Sequence, residues 1–179
     1  MKQRGLPFLP YVLGLLIGAA ITLHVLPGVI MARAMERIES LGGDGESVRH
    51  APRLTAENQT IVRASPDILY SVCLYDLADG PMRVDVIWPA DDNYTSVSFY
   101  DARTNNFRAI NDRDVVTLST SISLARRLDS DIPERTDESA WSPTTTGLIL
   151  YRRVIDASTD LDAAETERQG FTCRQMADQ

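Results

Sequence analysis

Residues 82–88 read Met-Arg-Val-Asp-Val-Ile-Trp, and this stretch decides the fold. Its apolar residues at every second position, from Met82 to Trp88, fall on one side of an extended chain, whereas Arg83 and Asp85 fall on the other. A period of two residues is typical of a β-strand with one face against a core and the other toward water. The pattern therefore predicts a strand of an antiparallel sheet.

Further strands are predicted along the chain. Residues 70–77 are apolar on both faces, residues 94–101 alternate, residues 114–121 are rich in Val and Thr, and residues 147–155 form the last apolar run. Val and Thr favour extended structure. Many strands at short spacing indicate an antiparallel β-sandwich or barrel, and we predict a mainly β domain of the antiparallel β-sandwich or jelly-roll-like type.

Turn-forming residues separate the predicted strands. Gly80-Pro81 joins a residue that permits positive φ to one that fixes φ, and Thr104-Asn105-Asn106 suits a hairpin because Asn tolerates the left-handed conformation. Residues 129–146 contain two Pro and many acidic side chains, so we expect a long exposed loop there. Thr159 or Asp160 is expected to cap a short C-terminal helix over residues 161–169.

The chain begins with a long apolar run. From Gly5 to Ala32 there is no Asp, Glu, Lys or Arg, and the 21 residues from Leu6 to Leu26 suffice for a helix. At about 1.5 Å per residue such a helix crosses the roughly 30 Å hydrocarbon core of a bilayer. We predict an uncleaved signal anchor. The alternative is a signal peptide that is cleaved near Ala32-Arg33-Ala34.

The anchor divides the chain into four predicted parts. Residues 1–5 form a cytoplasmic tail, residues 6–31 a transmembrane helix in contact with lipid, residues 32–56 a juxtamembrane helix and linker, and residues 57–179 a β-rich periplasmic domain. His50 is expected in a solvated loop. Basic residues flank both ends of the span, so the positive-inside rule leaves its orientation open. We predict a single-pass protein of the bacterial inner membrane with its C-terminal domain in the periplasm.

Small residues form a stripe on the predicted membrane helix. Gly14 and Gly18 are four residues apart, and Thr22 extends the stripe by another four. Small side chains let two membrane helices approach closely, so this face is a candidate for homodimer formation. Glycine is also common in membrane spans that do not pair.

The charge distribution excludes some partners. The chain has 25 acidic and 18 basic residues, and all the acidic ones follow the apolar run. A nucleic-acid-binding face needs clustered Lys and Arg, so we predict no nucleic-acid partner. The same acidity argues against electrostatic docking on anionic lipid.

Two cysteines, Cys73 and Cys173, follow the apolar run. An even number of cysteines in an exported domain suggests a disulfide, and this possibility supports the periplasmic placement. The alternative is two buried thiols that act as small hydrophobic residues. Two cysteines without a nearby His do not form a zinc site. We therefore predict no metal site and no cofactor.

Residues 62–107 resemble a known family. Residues 63–71 (Arg-Ala-Ser-Pro-Asp-Ile-Leu-Tyr-Ser) are similar to its Asn-Pro-Asp-Thr-Leu-Tyr-Ser pattern, with Ser65 in place of Asn and Ile68 in place of Thr. The resemblance continues through Asp76-Leu77, Gly80-Pro81, Pro89, Tyr94 and residues 101–107. The family is the domain of unknown function numbered 1254, and the N-terminal anchor and short length are similar to its small envelope members.

The resemblance implies a fold and a partner. It implies a β-sandwich or jelly-roll-like domain and a frequent companion, the domain of unknown function numbered 1214, which is either fused or encoded separately. The family has no agreed activity, so the resemblance names a fold and a partner but no chemistry.

Few residues suit catalysis. His50 is the one His after the anchor, and neither Gly-x-Ser-x-Gly nor a Gly-rich phosphate loop occurs. Asp67, Asp76 and Asp101 each lie beside apolar strand residues and are the candidates for general acid–base chemistry. Each could instead cap a turn or pair with an arginine, Arg63 or Arg103. Asn105 and Asn106 are candidate ligand-binding residues, with hairpin geometry as the alternative.

These observations favour a non-enzymatic role. We predict an envelope protein that acts as an interaction or structural module with a companion protein. The alternative is a periplasmic small-ligand-binding or hydrolytic domain that uses aspartates around a sandwich pocket.

Overall fold

The structure is a computed structural model that describes residues 8–41, 48–55, 65–127 and 138–176. Two helices and nine strands lie in these ranges. In chain order they are α1 (Leu9–Ser40), β1 (Val48–His50), β2 (Ile68–Asp76), β3 (Met82–Ile87), β4 (Thr95–Asp101), β5 (Asn106–Asn111), β6 (Ser119–Arg126), β7 (Ser139–Ser142), β8 (Thr146–Val154), α2 (Leu161–Gln169) and β9 (Thr172–Gln175).

The strands form two sheets. One has five strands in the order β1-β2-β8-β4-β5, and every neighbouring pair is antiparallel. The other has four strands in the order β7-β6-β3-β9, and β6 and β7 run parallel. The predicted mainly β, sandwich-like architecture is therefore confirmed, together with an N-terminal apolar helix and a short C-terminal helix. The second sheet departs from a purely antiparallel arrangement in its β6–β7 pair.

The hydrophobic core fills the space between the sheets. Strand β3 contributes Met82, Val84 and Val86, which are buried, while Arg83 is exposed, as the alternation of its sequence predicts. Strand β8 contributes Ile149 and Tyr151 from the facing sheet, and its buried residues also alternate. The removal of these apolar side chains from water is what holds the two sheets together.

Helix α1 is continuous and contacts the sandwich through its second half. Its covered residues recur at helical spacing, at Pro27, Gly28, Met31, Ala34, Met35 and Ile38. Met31 is only 4% exposed, and α1 contacts β8. Since Ile149 and Tyr151 of β8 face the core, α1 must lie on the outer face of the five-stranded sheet. The helix continues beyond the apolar run to Ser40, and Leu41, which follows it, is exposed.

Helix α2 has the predicted boundaries. The Asp160 carboxylate accepts hydrogen bonds from the backbone N–H groups of Asp162 and Ala163, so Asp160 is the N-cap. Ala164 packs with Leu69 and Ile155 in a small apolar cluster at the sheet.

Three sequence predictions about connections were wrong. The strand predicted over residues 114–121 begins at Ser119, because Asn111 accepts a hydrogen bond from the Arg113 N–H and holds the preceding residues in a turn. The predicted loop over residues 129–146 contains β7, since Ala140 and Ser142 are buried; residues 129–137 of that prediction lie outside the described ranges. The predicted linker contains β1, where Val48 pairs with Cys73 and packs on the core.

The prediction that His50 lies in a loop was also wrong. It belongs to β1 rather than to a loop, and its Nδ1 lies 2.8 Å from the Ser71 hydroxyl of β2. Its place in the sheet follows from the pairing of β1 with β2, which the short sequence of β1 did not indicate.

Candidate functional site

Asp101 closes the β4–β5 turn. Its Oδ1 accepts hydrogen bonds from the backbone N–H groups of Arg103 (2.8 Å) and Asn105 (2.9 Å), and its Oδ2 accepts one from the Asn105 side-chain amide (2.8 Å). The carboxylate is 3% exposed. Thr104 in the same turn has a φ of 67°, which a left-handed turn position requires. Both carboxylate oxygens of Asp101 are therefore engaged by the turn that it caps.

The other two aspartates do not join Asp101 in one cluster. Asp76 is exposed at the end of β2, where its Oδ1 accepts from the Ala78 N–H at 2.9 Å. Asp76 pairs with Thr146 and Asp101 with Gly147, so these two lie at the same end of the sheet on either side of β8. Asp67 is exposed and precedes Ile68, which pairs with Val154 at the opposite end. Arg63, a suggested partner, lies outside the described residues.

The two candidate asparagines belong to the same turn. Asn105 is exposed and bonded to Asp101 through its backbone and its side chain. Asn106 is exposed at the start of β5, opposite Tyr100. Their positions fit the hairpin geometry that was the alternative to ligand binding.

The two cysteines lie at disulfide distance. Cys73 on β2 and Cys173 on β9 belong to different sheets, their Cα atoms are 6.5 Å apart, and both are buried in the core. A bond between them joins the two sheets across a sequence separation of 100 residues.

A groove of about 590 Å³ opens beside β5, the edge strand of the larger sheet. Its lining mixes charged and apolar side chains from β5, the segment before β6, the start of β6, and the residue before β7. The lining residues are Arg108, Ala109, Ile110, Asp114, Val115, Val116, Thr117, Thr120 and Glu138. No sequence pattern indicates this groove, because its residues come from four separated segments, and Asp67, Asp76 and Asp101 do not line it.

An exposed apolar patch borders this groove. Val116 is fully exposed, Leu118 is 64% exposed, and Ile87 is 39% exposed at the end of β3. The backbones of Ile87 and Leu118 are neighbours because the Trp88 N–H donates to the Leu118 carbonyl at 2.9 Å and Ile87 pairs with Ser119, and Val116 lies two residues before Leu118. Strand β3 starts at the Gly80-Pro81 turn, so this patch lies at the end of the sandwich opposite Asp76 and Asp101. We refer to Ile87, Val116 and Leu118 as the distal patch.

Two buried arginines attach α2 and the nearby loop to the sheet. Arg153 is 1% exposed and forms ion pairs with Asp91 (2.7 Å) and Glu167 (3.2 Å). The hydrogen bond from Arg153 lowers the pKa of Asp91 below its ordinary value. Arg168 donates to the carbonyl oxygens of Ala51 and Tyr70, at 2.8 and 2.9 Å.

Buried ionisable groups can mark a functional site, but the contacts of these two arginines serve to attach α2 and the nearby loop to the sheet. The hydrogen bond from Arg168 lowers the pKa of Glu165 in the same way as Arg153 acts on Asp91. Tyr151 lies beside Arg153, and burial raises the pKa of its phenol. Asp91 and Glu165 thus remain ionised at neutral pH with an arginine already paired to each, and the Tyr151 phenol remains neutral.

Helix α1 meets the β4–β5 turn near the end of the apolar run. The Arg103 Nη2 lies 3.0 Å from the His24 carbonyl oxygen and 3.2 Å from its ring Nδ1. A Cβ atom built on Gly28 would lie 3.9 Å from the Ala102 carbonyl oxygen. The turn that Asp101 closes therefore also holds the helix.

The small-residue stripe of α1 lies on a face that the sandwich does not cover. A Cβ atom built on Gly14 or Gly18 meets nothing within 4 Å, and the Thr22 hydroxyl donates to the Gly18 carbonyl at 2.9 Å. Leu9–Ser40 is also the one helix in the described part of the chain that is long and apolar enough to span a membrane. Among the same residues, no group of three His, Cys, Asp or Glu side chains is placed to hold a metal ion.

A family model matches most of the chain. It is the model described as Protein of unknown function (DUF1254), and it matches residues 46–175. The chain belongs to this family. The match covers the whole sandwich and begins after α1, so family membership concerns the β-domain. The comparison with curated proteins gives no match.

Two solved structures resemble the chain. The VPA0106 protein from Vibrio parahaemolyticus is 16% identical, with a TM-score of 0.57 over 77% of this chain and 32% of that chain. An uncharacterized protein from Burkholderia cenocepacia is 17% identical, with a TM-score of 0.46 over 71% of this chain and 33% of that chain. The chain therefore spans about a third of the length of these structures, and the Vibrio likeness supports the fold of the DUF1254 domain.

Proposed function

We propose that this DUF1254 protein is a single-pass envelope protein of the bacterial inner membrane that acts through a protein partner rather than by catalysis. Helix α1 anchors it, and the sandwich lies in the periplasm, where an oxidising environment suits the cysteine pair. The partner is a protein that carries the companion domain of unknown function 1214. The candidate aspartates support this choice, because the described contacts of Asp76 and Asp101 are those of turn caps.

The distal patch is the observation that carries this proposal. Exposed apolar groups that lie together at one end of a domain mark sites of protein interaction. Val116 and Leu118 are exposed at the end opposite the β4–β5 turn, where His24 of α1 meets the domain, so a partner could reach them without displacing the apolar half of the helix.

Photocrosslinking in intact membranes tests the partner. A photoreactive phenylalanine at Val116 should give one discrete adduct that contains the companion-domain protein, while the same group at exposed Asp79, in the turn at the other end, should not. Leu118→Asp should reduce the Val116 adduct. Equal adducts at both positions, or an adduct between two copies of this chain, would contradict the proposed partner.

A reporter fusion tests the orientation. A periplasm-dependent reporter enzyme fused after Gln179 should be active. A well-expressed but inactive fusion would show that the sandwich faces the cytoplasm.

The groove supports a second candidate function, the binding of a small ligand. Its volume falls within the roughly 300–1,000 Å³ that is usual for ligand sites. Arg108, Asp114 and Glu138 supply both signs of charge beside apolar Val115 and Ile110, a lining that suits a small molecule with an amino and a carboxylate group.

A thermal-shift screen with free amino acids would test the ligand hypothesis. A hit should raise the unfolding temperature of the native chain, and Val115→Trp, which fills the groove, should abolish that shift. A shift that persists in Val115→Trp would place the ligand elsewhere.

A further inference from the structure

We propose that the β4–β5 turn rests on the membrane surface and that Arg103 binds the phosphate of a lipid headgroup there. The inference rests on the proposed anchoring through α1, but it assigns a lipid contact to the sandwich itself. The end of the domain that bears this turn also carries the Gly80-Pro81 turn and residues 143–145, and we refer to it as the membrane-proximal end.

The position of the bilayer surface follows from which part of α1 the sandwich covers. From Leu9 to Leu26 the helix is exposed, and from Pro27 onward it packs against the domain. These 18 exposed residues measure about 27 Å, close to the roughly 30 Å hydrocarbon core of a bilayer. The lipid boundary therefore lies near His24 to Pro27 rather than at residue 31. His24 contacts Arg103, so the turn lies at the level of the headgroups.

The chemistry of Arg103 suits this level. Its contacts within the described ranges all involve Nη2, which approaches His24. A guanidinium carries five N–H donors, so Nη1 and Nε can still donate to an anion. Paired N–H donors match the oxygens of a phosphate, and arginine side chains near helix ends reach toward the headgroup region.

The turn is also held in place. Asp101 accepts three hydrogen bonds from the turn, and the Ala102 N–H donates to the Thr144 hydroxyl at 3.0 Å. The Arg103 backbone is thus fixed between the sheet and the helix. The net negative charge of the chain argues against attraction of the whole domain to anionic lipid, whereas a single arginine at a lipid phosphate is a local contact.

Fluorescence quenching tests the seating of the domain. The full chain is placed in phosphatidylcholine nanodiscs that contain a lipid with a nitroxide on its headgroup. Asn106→Trp, next to the turn, should be strongly quenched. Tyr94→Trp, just before β4 and so at the end of that strand far from the turn, should be quenched little. Trp88 and Trp141 give the same background in both variants. Equal quenching would overturn the proposed seating.

Solid-state NMR tests the contact of Arg103. With ¹³C-labelled arginine, the lipid ³¹P should dephase a guanidinium signal. This dephasing should be lost in Arg103→Gln and retained in Arg113→Gln, which changes an exposed arginine at the far end of the domain. No difference between wild type and Arg103→Gln would overturn the contact.

A bilayer of phosphate-free galactolipid distinguishes a headgroup from free phosphate. The ³¹P dephasing assigned to Arg103 should be absent in this bilayer and should not return when inorganic phosphate is added. Its return would assign a free-phosphate site and overturn the lipid assignment. Failure of the chain to enter nanodiscs would contradict the anchoring itself, whereas a failed quenching or NMR result in loaded nanodiscs would contradict only this inference.

Discussion

Asp91 stabilises the fold through Arg153, so this contact should show in the pH dependence of stability. Asp91→Asn keeps a side chain that can accept the Asn93 N–H but removes the charge that faces a buried guanidinium. The Asp91 carboxylate is 41% exposed and therefore screened, so we expect a loss of about 1 kcal/mol at pH 7.

The sign of the pH effect follows from the lowered pKa of Asp91. A carboxylate with a folded pKa below its unfolded value of about 3.9 adds stability that is complete above that pH. The added stability disappears as the pH falls through the folded pKa. Unfolding temperatures of wild type and Asp91→Asn should therefore converge in acid, while Asp92→Asn should match wild type throughout. A constant difference from pH 7 to pH 3 would contradict this account.

Gly147 should tolerate no side chain. A Cβ atom at this position would overlap the Tyr100 carbonyl oxygen and the Tyr75 hydroxyl. That hydroxyl is itself fixed, since it donates to Tyr100 O at 3.0 Å and lies 2.8 Å from the Ser142 hydroxyl. We expect Gly147→Ala to reduce the free energy of unfolding by about 3 kcal/mol.

Thermal unfolding measured by circular dichroism checks this expectation. Gly14→Ala is the matched control, because nothing lies within 4 Å of its added Cβ. The two variants should differ clearly in unfolding temperature. If they behave alike, the contact between Tyr75 and Gly147 does not constrain the sheet.

The roles of single residues were harder to predict than their surroundings. Asp101 was selected because a carboxylate beside apolar residues can be an acid or base, but a turn cap has the same sequence signature. The structure distinguishes the two roles because backbone N–H groups donate to the Asp101 carboxylate. Their positions depend on how the chain folds back after β4. Arg153, which the sequence analysis did not select, is buried because its partners arrive from two other elements.

At the scale of elements, the contact between β2 and β9 predicts sensitivity to reducing agents. A disulfide that closes a loop of this length stabilises a domain by about 2–4 kcal/mol in typical cases. Dithiothreitol should therefore lower the unfolding temperature of wild type, and it should not affect a variant with both cysteines changed to alanine.

Alkylation followed by mass mapping identifies the bond itself. Without reductant neither cysteine should be modified in the unfolded chain, and after reduction both should be. Two alkylated cysteines without reductant would favour the alternative of buried thiols.

Helices and strands were predictable where one face is buried in the core and the other is exposed to solvent. Strand β3 and helix α2 follow this rule, and their boundaries agree with their sequence signals. Strands β1 and β7 are short edge strands of three and four residues, too short for a pattern to develop. The strand around Val115 and Val116 was misplaced because β-branched residues favour extended chain, and the sequence did not indicate that these two lie by a groove.

At the scale of the whole molecule, the uncovered face of α1 predicts self-association. Gly14, Gly18 and Thr22 lie away from the sandwich, so a second helix could approach them. Chemical crosslinking in membranes should give a dimer in wild type that is lost in Gly18→Ile. Ala19→Ile adds a bulky side chain on a different face and should leave the dimer intact. An unchanged dimer in Gly18→Ile would show that this stripe does not pair the helices.

The groove and the distal patch were beyond prediction for a related reason. Each combines residues from separate strands and connections, so its existence depends on the order of strands in two sheets. A sequence pattern reports the faces of one element, whereas strand order is a property of the assembled domain. The family resemblance indicated the sandwich, but not which of its edges stays open.

An unbroken α1 has a mechanical consequence. If α1 spans the bilayer as we propose, the same continuous helix runs from the lipid onto the five-stranded sheet, and any change in the tilt of the anchor is passed to the domain as a rotation of the same size. Anchors tilt more in thin bilayers than in thick ones. The direction in which Val116 and Leu118 face their surroundings would then vary with local membrane thickness, so that the lipid composition becomes a control on encounter with other proteins.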